Sequence, residues 1–179
     1  MKQGSFFRTF IVLMMATVLL VAGTSMVFAA TSARKITYKG SGKVVVSFKN
    51  SVTYEDVGVT VKDNSGKTYK TSIKSKDGSS ITFVIKSYKT GKTYKITVDG
   101  IKSGTVTGSF KIYSKAAATS TAKAAAKKAW EIKSFKSVKA TSSTYRGQSV
   151  WKIAFQSGDH SYTYMVAQQT GKIIYSERK

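Results

Sequence analysis

Between residues 35 and 113, apolar and polar side chains alternate with a period of two, segment after segment. Val44, Val46 and Phe48 share one face, Val57, Val59 and Val61 a second, Ile81, Phe83 and Ile85 a third, and Tyr94, Ile96 and Val98 a fourth. Lys, Thr and Ser fill most positions between them. Successive side chains of a strand point to opposite faces, so each segment has one buried face and one wet face, as in antiparallel sheets packed face to face. The pattern predicts seven strands, near residues 35–39, 43–49, 56–63, 67–75, 80–86, 92–99 and 104–113, with turns at Asn64-Ser65-Gly66 and Asp77-Gly78.

At Ser114 the composition changes to Ser-Lys-Ala-Ala-Ala-Thr-Ser-Thr-Ala-Lys-Ala-Ala-Ala. The shift marks a boundary, with residues 115–120 expected as a linker. From about residue 121 to Ile132 the alanines favour a helix, for which Thr119, Ser120 or Thr121 is the expected cap. Ala122, Ala125, Ala126 and Ala129 give it a small-residue face, with Trp130 as the expected anchor. Four more strands are predicted near 134–145, 148–156, 160–167 and 172–177, joined at Arg146-Gly147, Gly158-Asp159 and residues 168–171. A sheet with one apolar face is marginal until that face is covered, so the helix is expected across it, giving a small α+β unit.

Two resemblances follow from these segments. Tyr88-Lys-Thr-Gly91-Lys-Thr-Tyr94-Lys-Ile-Thr-Val98-Asp-Gly-Ile101 is similar to a segment of bacterial immunoglobulin-like (Ig-like) domains. Seven short strands agree with that architecture, in which Tyr94, at the start of the penultimate strand, would hydrogen-bond back to its own corner. Residues 119–178 resemble the PepSY family. The likeness runs through the Ala-rich helix, Tyr145-Arg-Gly147, Val150-Trp-Lys-Ile-Ala-Phe155 and Gly158-Asp159 to a closing hairpin with Thr170-Gly171-Lys172-Ile173. The chain departs from the family where Asp-Ala commonly precedes the Thr-Gly turn, carrying Val166-Ala167-Gln168-Gln169 instead.

The fold class expected is therefore mainly β: an N-terminal Ig-like antiparallel sandwich, residues 30–114, followed by a PepSY-like module, residues 121–179, with one helix on a four-stranded antiparallel sheet. The PepSY resemblance implies a non-enzymatic module that binds and restrains a secreted or surface peptidase. An adhesin or wall-polymer-binding protein is the alternative.

The address of the chain is written at its start. Lys2 and Arg8, an apolar run from Phe10 to Ala22 and the small residues around Val27-Phe28-Ala29-Ala30 form a secretory signal peptide, residues 1–29, expected to be cleaved after Ala29. Retention as an anchor is the alternative, since Phe10 to Ala30 spans 21 residues and about 20 can cross a bilayer. After cleavage no membrane span is expected. The protein would be secreted, extracellular or associated with a Gram-positive-type wall. It has no cysteine, so the exported fold rests on its core alone.

Charge adds a class of partner. Of the 30 Lys+Arg, only Lys2 and Arg8 lie in the signal segment, so 28 remain against 8 Asp+Glu, a net charge of +20. Such a field attracts anionic wall polymer and other polyanions. Three of those 28 cations are arginine: Arg34, Arg146 and Arg178. Lysine lacks the planar fork that reads phosphate bidentately, so the overall pattern fits diffuse attraction. Tyr38, Tyr69, Tyr88 and Tyr145 have basic neighbours, but most aromatics sit on the apolar parity of their strands, and nucleic acid is not the expected partner.

No catalytic, cofactor-binding or metal-ligating constellation can be assembled. His160 is the only histidine, and the carboxylates Glu55, Asp56, Asp63, Asp77, Asp99, Glu131, Asp159 and Glu177 fall mostly at predicted turns. Neither a glycine-rich phosphate loop nor a serine nucleophile elbow is present. The chain is not expected to be an enzyme, no cofactor is implied, and no partner-binding residues are singled out.

Overall fold

The computed structural model describes residues 33–179, so the expected signal peptide lies outside the described residues. Strands β1 (Ala33–Tyr38), β2 (Lys43–Phe48), β5 (Thr71–Asp77) and β6 (Ser80–Ile85) form one antiparallel sheet in the order β1-β2-β6-β5. Strands β3 (Tyr54–Asp63), β4 (Thr68–Tyr69), β7 (Lys92–Ile101) and β8 (Val106–Ile112) form a second in the order β4-β3-β7-β8. The two sheets enclose one core. Val44, Val46, Ile81, Phe83 and Ile85 come from the first, and Val61, Tyr94, Ile96, Val98, Val106 and Ile112 from the second. The period-two pattern places Val44, Val46, Val61, Ile81, Phe83, Ile85, Tyr94, Ile96 and Val98 inside; Val57 and Val59, expected on the same buried face as Val61, are only partly buried. Burying each large apolar side chain is worth about 1.5–3 kcal/mol.

The segment predicted as one strand over 67–75 is two strands in different sheets. Tyr69 enters the core from β4. The chain then crosses between sheets at Lys70, where its carbonyl accepts from the Lys86 amide and the Thr71 hydroxyl donates to the Val59 carbonyl. Polar alternation continues unbroken through such a crossing, which is why the pattern does not reveal it. Opposite, Gly108 of β8 lies beneath Ile36 of β1; a Cβ there would collide with the Ile36 Cδ1.

The remaining strands, β9 (Lys136–Tyr145), β10 (Gln148–Ser157), β11 (His160–Ala167) and β12 (Ile173–Arg178), form a third antiparallel sheet in the order β12-β11-β10-β9. One face is covered by α1 (Lys115–Trp130). Ala118, Ala122 and Ala126, four residues apart, are fully buried and bring the helix close to Ile153, Phe155, Tyr162, Tyr164 and Val166. Phe155 stacks on Tyr162 at 5.3 Å and meets Phe135 edge-on at 4.9 Å.

Two expectations about this helix are corrected. Residues 115–120 are not a linker, because the helix begins at Lys115. Ser114, extended at φ −73° and ψ 157°, caps it by accepting from the Ala117 amide at 3.1 Å. Thr119 and Thr121 instead donate to the carbonyls of Lys115 and Ala117 inside the helix. An Ala-rich turn with a serine at its head needs no later cap. Nor does Trp130 anchor the helix. It is 46 % exposed, with the Arg178 guanidinium 4.9 Å over its ring, while Ile132 and Phe135 enter the core beyond the left-handed C-cap Glu131.

Candidate functional site

Two of the carboxylates, Asp63 and Asp77, serve local structure. Asp63 is buried at the end of β3, where it accepts from the Ser65 hydroxyl and amide, the Lys67 amide and the Tyr69 hydroxyl, with the Lys92 ammonium 3.5 Å away. These donors, the Ser65 hydroxyl first, hold its carboxyl well below the usual carboxylate range. Asp77 closes its turn through Ser79 and Ser80, whose hydrogen bonds lower its carboxyl too. Glu55 and Glu177 pair on the surface with Lys102 and Lys179. His160 is exposed at the start of β11, beside the Tyr162 ring. Among the described residues, no three His, Asp or Glu side chains converge as metal ligands, and no helix is long and apolar enough to cross a membrane.

One surface that the fold leaves largely open is the back of the third sheet, although Val150 and Ala167 on that parity are buried at one end of it. Helix α1 takes the parity of Trp151, Ile153 and Phe155, so the other parity faces away from it. Cross-strand register aligns Lys139, Ala154, Thr163 and Glu177 in one row, and Thr141, Lys152, Met165 and Tyr175 in the next. At one end the Tyr145 and Tyr175 rings meet at 5.3 Å, with the Arg146 guanidinium 5.3 Å from the Tyr145 ring. Strand β9 is the edge, paired only with β10, and neither strand carries a carboxylate. Lys136 and Lys139 and an irregular register near Ser137, where φ is +51°, interrupt this edge. Such devices restrain indiscriminate strand pairing.

The junction between the sandwich and the third sheet is built by two adjacent glutamines, Gln168 and Gln169. Gln168 is 2 % exposed; its side-chain amide donates to the Ser142 hydroxyl and the Val150 carbonyl, and its main-chain carbonyl accepts from the Tyr113 amide at 2.7 Å. Gln169 reaches the free edge of β1, donating to the Ile36 carbonyl at 2.7 Å and accepting from the Tyr38 amide at 2.9 Å. One side-chain amide thus does what a residue of a neighbouring parallel strand would do. The Trp151 indole adds a bond to the Tyr113 carbonyl at 2.9 Å. The sequence alone does not reveal this role; the local signal is two adjacent amides, each able both to donate and to accept.

Of the 28 cations, the ion pairs among the described residues engage Lys92, Lys102 and Lys179. No family model matches the chain, and neither a curated protein nor a solved structure matches it.

Proposed function

We propose that the chain is a secreted, non-enzymatic protein of a Gram-positive-type envelope, in which an Ig-like sandwich carries a PepSY-like module that binds and restrains a secreted or surface peptidase. The observation that carries this reading is the one-sided cover of the third sheet. Its back and the β9 edge remain open, bearing Lys136, Lys139 and Lys152 with no carboxylate on β9 or β10. An extended acidic segment of the partner suits this surface, adding main-chain hydrogen bonds along β9 and charge pairing across it.

The test is capture by the mature chain, residues 30–179, from culture supernatant, followed by assay of the recovered peptidase. Its activity should drop on binding, and K139E/K152E should abolish both capture and inhibition. Unchanged activity with bound protein, or indifference to the charge reversal, overturns the reading.

A second reading, binding to anionic wall polymer, is favoured by the excess of cations over ion pairs. Retention on purified polymer should then fall steeply with added salt, because exposed charges are screened within about 8 Å at physiological ionic strength. Retention that ignores salt counts against it.

A further inference from the structure

The junction encloses a cleft of about 460 Å³ between β1 and the turn that joins β9 to β10. That volume lies within the range of small-molecule sites, about 300–1,000 Å³. We propose that this cleft binds the phosphate groups of a polyol-phosphate chain. The inference rests on the anionic-polymer reading above and assigns it a location.

The lining supplies cations without a carboxylate to oppose them. Lys35 and Lys39 stand on one wall and Arg146 on the other. Arg146 is one of three arginines among 28 cations, and its planar fork can hold two oxygens of one phosphate where a lysine offers a point charge. The Tyr145 ring 5.3 Å beneath the guanidinium restrains its orientation, which lowers the entropy lost on binding.

Backbone conformation keeps the cleft open. Arg146 and Gly147 both have positive φ, +46° and +72°, which makes the tight return that brings the arginine to the rim. Next to Lys39, Gly40, at φ +89°, leaves room for the Ser149 hydroxyl; a Cβ on that glycine would stand 2.7 Å from it. Ser149 itself is 8 % exposed. With Thr170, it gives the cleft hydroxyl donors alongside the charges. Two walls from two structural units therefore meet around a donor-rich space, and Gln169 fixes their separation through its bonds to β1.

The experiment titrates the mature chain, residues 30–179, with a synthetic glycerol-phosphate hexamer and, separately, with inorganic phosphate. The joint variant K39A/R146A is compared with K74A/K128A, which removes the same charge from exposed positions outside the cleft. The expected result is a loss of about tenfold or more in hexamer affinity for the joint variant, as for removal of a charge-assisted hydrogen bond. The control should lose no more than about threefold, as for weakened long-range attraction. Amide resonances of Gly40, Gly147 and Ser149 should shift most.

Equal losses in the two variants, with shifts spread over the surface, overturn the cleft and leave the polymer reading standing. No binding by the wild type at low salt overturns both. Inorganic phosphate binding as tightly as the hexamer overturns the assignment to a polymer chain.

Discussion

The Tyr94 hydroxyl accepts the Lys89 amide at 2.8 Å and donates to the carbonyl of the same residue at 2.7 Å. One side chain thereby ties the start of β7 to the loop before it. Its ring packs between Tyr69 and Phe110, with centroids at 5.3 and 5.5 Å. Tyr94→Phe keeps these contacts and removes both hydrogen bonds. Because Lys89 is exposed and water can replace the lost partner, the expected cost is about 1 kcal/mol. Urea unfolding should show a lower midpoint with an unchanged slope.

Gln169 offers a test of the junction. Gln169→Ala removes the groups that cover the β1 edge without touching either core, so hydrogen exchange at the Tyr38 amide should quicken while the core amides of Phe83 and Ile153 keep their protection. Gln169→Glu retains an acceptor for Tyr38 but, when ionised, turns an oxygen toward the Ile36 carbonyl. Its junction should be weaker at neutral pH than near pH 4, where a protonated carboxyl can donate again.

The pH profile of stability follows from two sets of groups. The Asp63 and Asp77 carboxyls are held below the usual range by their hydrogen bonds, so the stability they contribute is present above about pH 4 and is lost as pH falls. Burial pushes the hydroxyls of Tyr54 and Tyr69 up to about 12, with the Asp63 hydrogen bond adding to the effect at Tyr69. Their contribution is complete below about pH 10 and declines as pH rises further. Denaturant midpoints should therefore be flat between about pH 5 and 9, and Asp63→Asn should make the acid limb shallower.

Two glycines separate backbone strain from crowding. Gly147, at φ +72°, has open space where a Cβ would go, whereas at Gly171, at φ +69°, a Cβ would meet the Tyr113 ring at 2.6 Å. Gly147→Ala should cost about 1–2 kcal/mol from the left-handed conformation alone. Gly171→Ala should cost more, and calorimetry of the two variants measures the difference as the price of moving the ring.

The proposal of secretion predicts an N-terminus. Protein recovered from the medium of the producing cell should begin at Ala30 by intact-mass measurement, and a cell-bound chain beginning at Met1 would show an anchor instead.

Much of this fold is legible in the sequence because each strand keeps one dry face and one wet face. Val44, Val46 and Phe48 announce β2, and the resemblance of the segment around Tyr94 to Ig-like domains implies the tyrosine that bonds back to its corner. What stays hidden depends on contacts distant in sequence. Nothing local to Lys70 marks a change of sheet, and nothing local to Gln169 points to a strand 131 residues earlier. The open back of the third sheet is half legible, since alternation shows which residues oppose Ile153 but the helix must be placed before that parity is known to be uncovered. The cationic cleft was invisible, because Lys35, Lys39 and Arg146 become neighbours only when the junction forms.

Ser114 governs more than the start of a helix. Proteolysis needs a stretch of chain that can be drawn out into a cleft, and boundaries between folded units usually supply one. Here Tyr113 is bonded to Gln168 and Trp151, and the next residue already closes the first helical turn. Among residues 33–179 the border offers no slack to cut. Cutting at this border would then require the junction to open first, so the rate of that opening sets the rate of cleavage there.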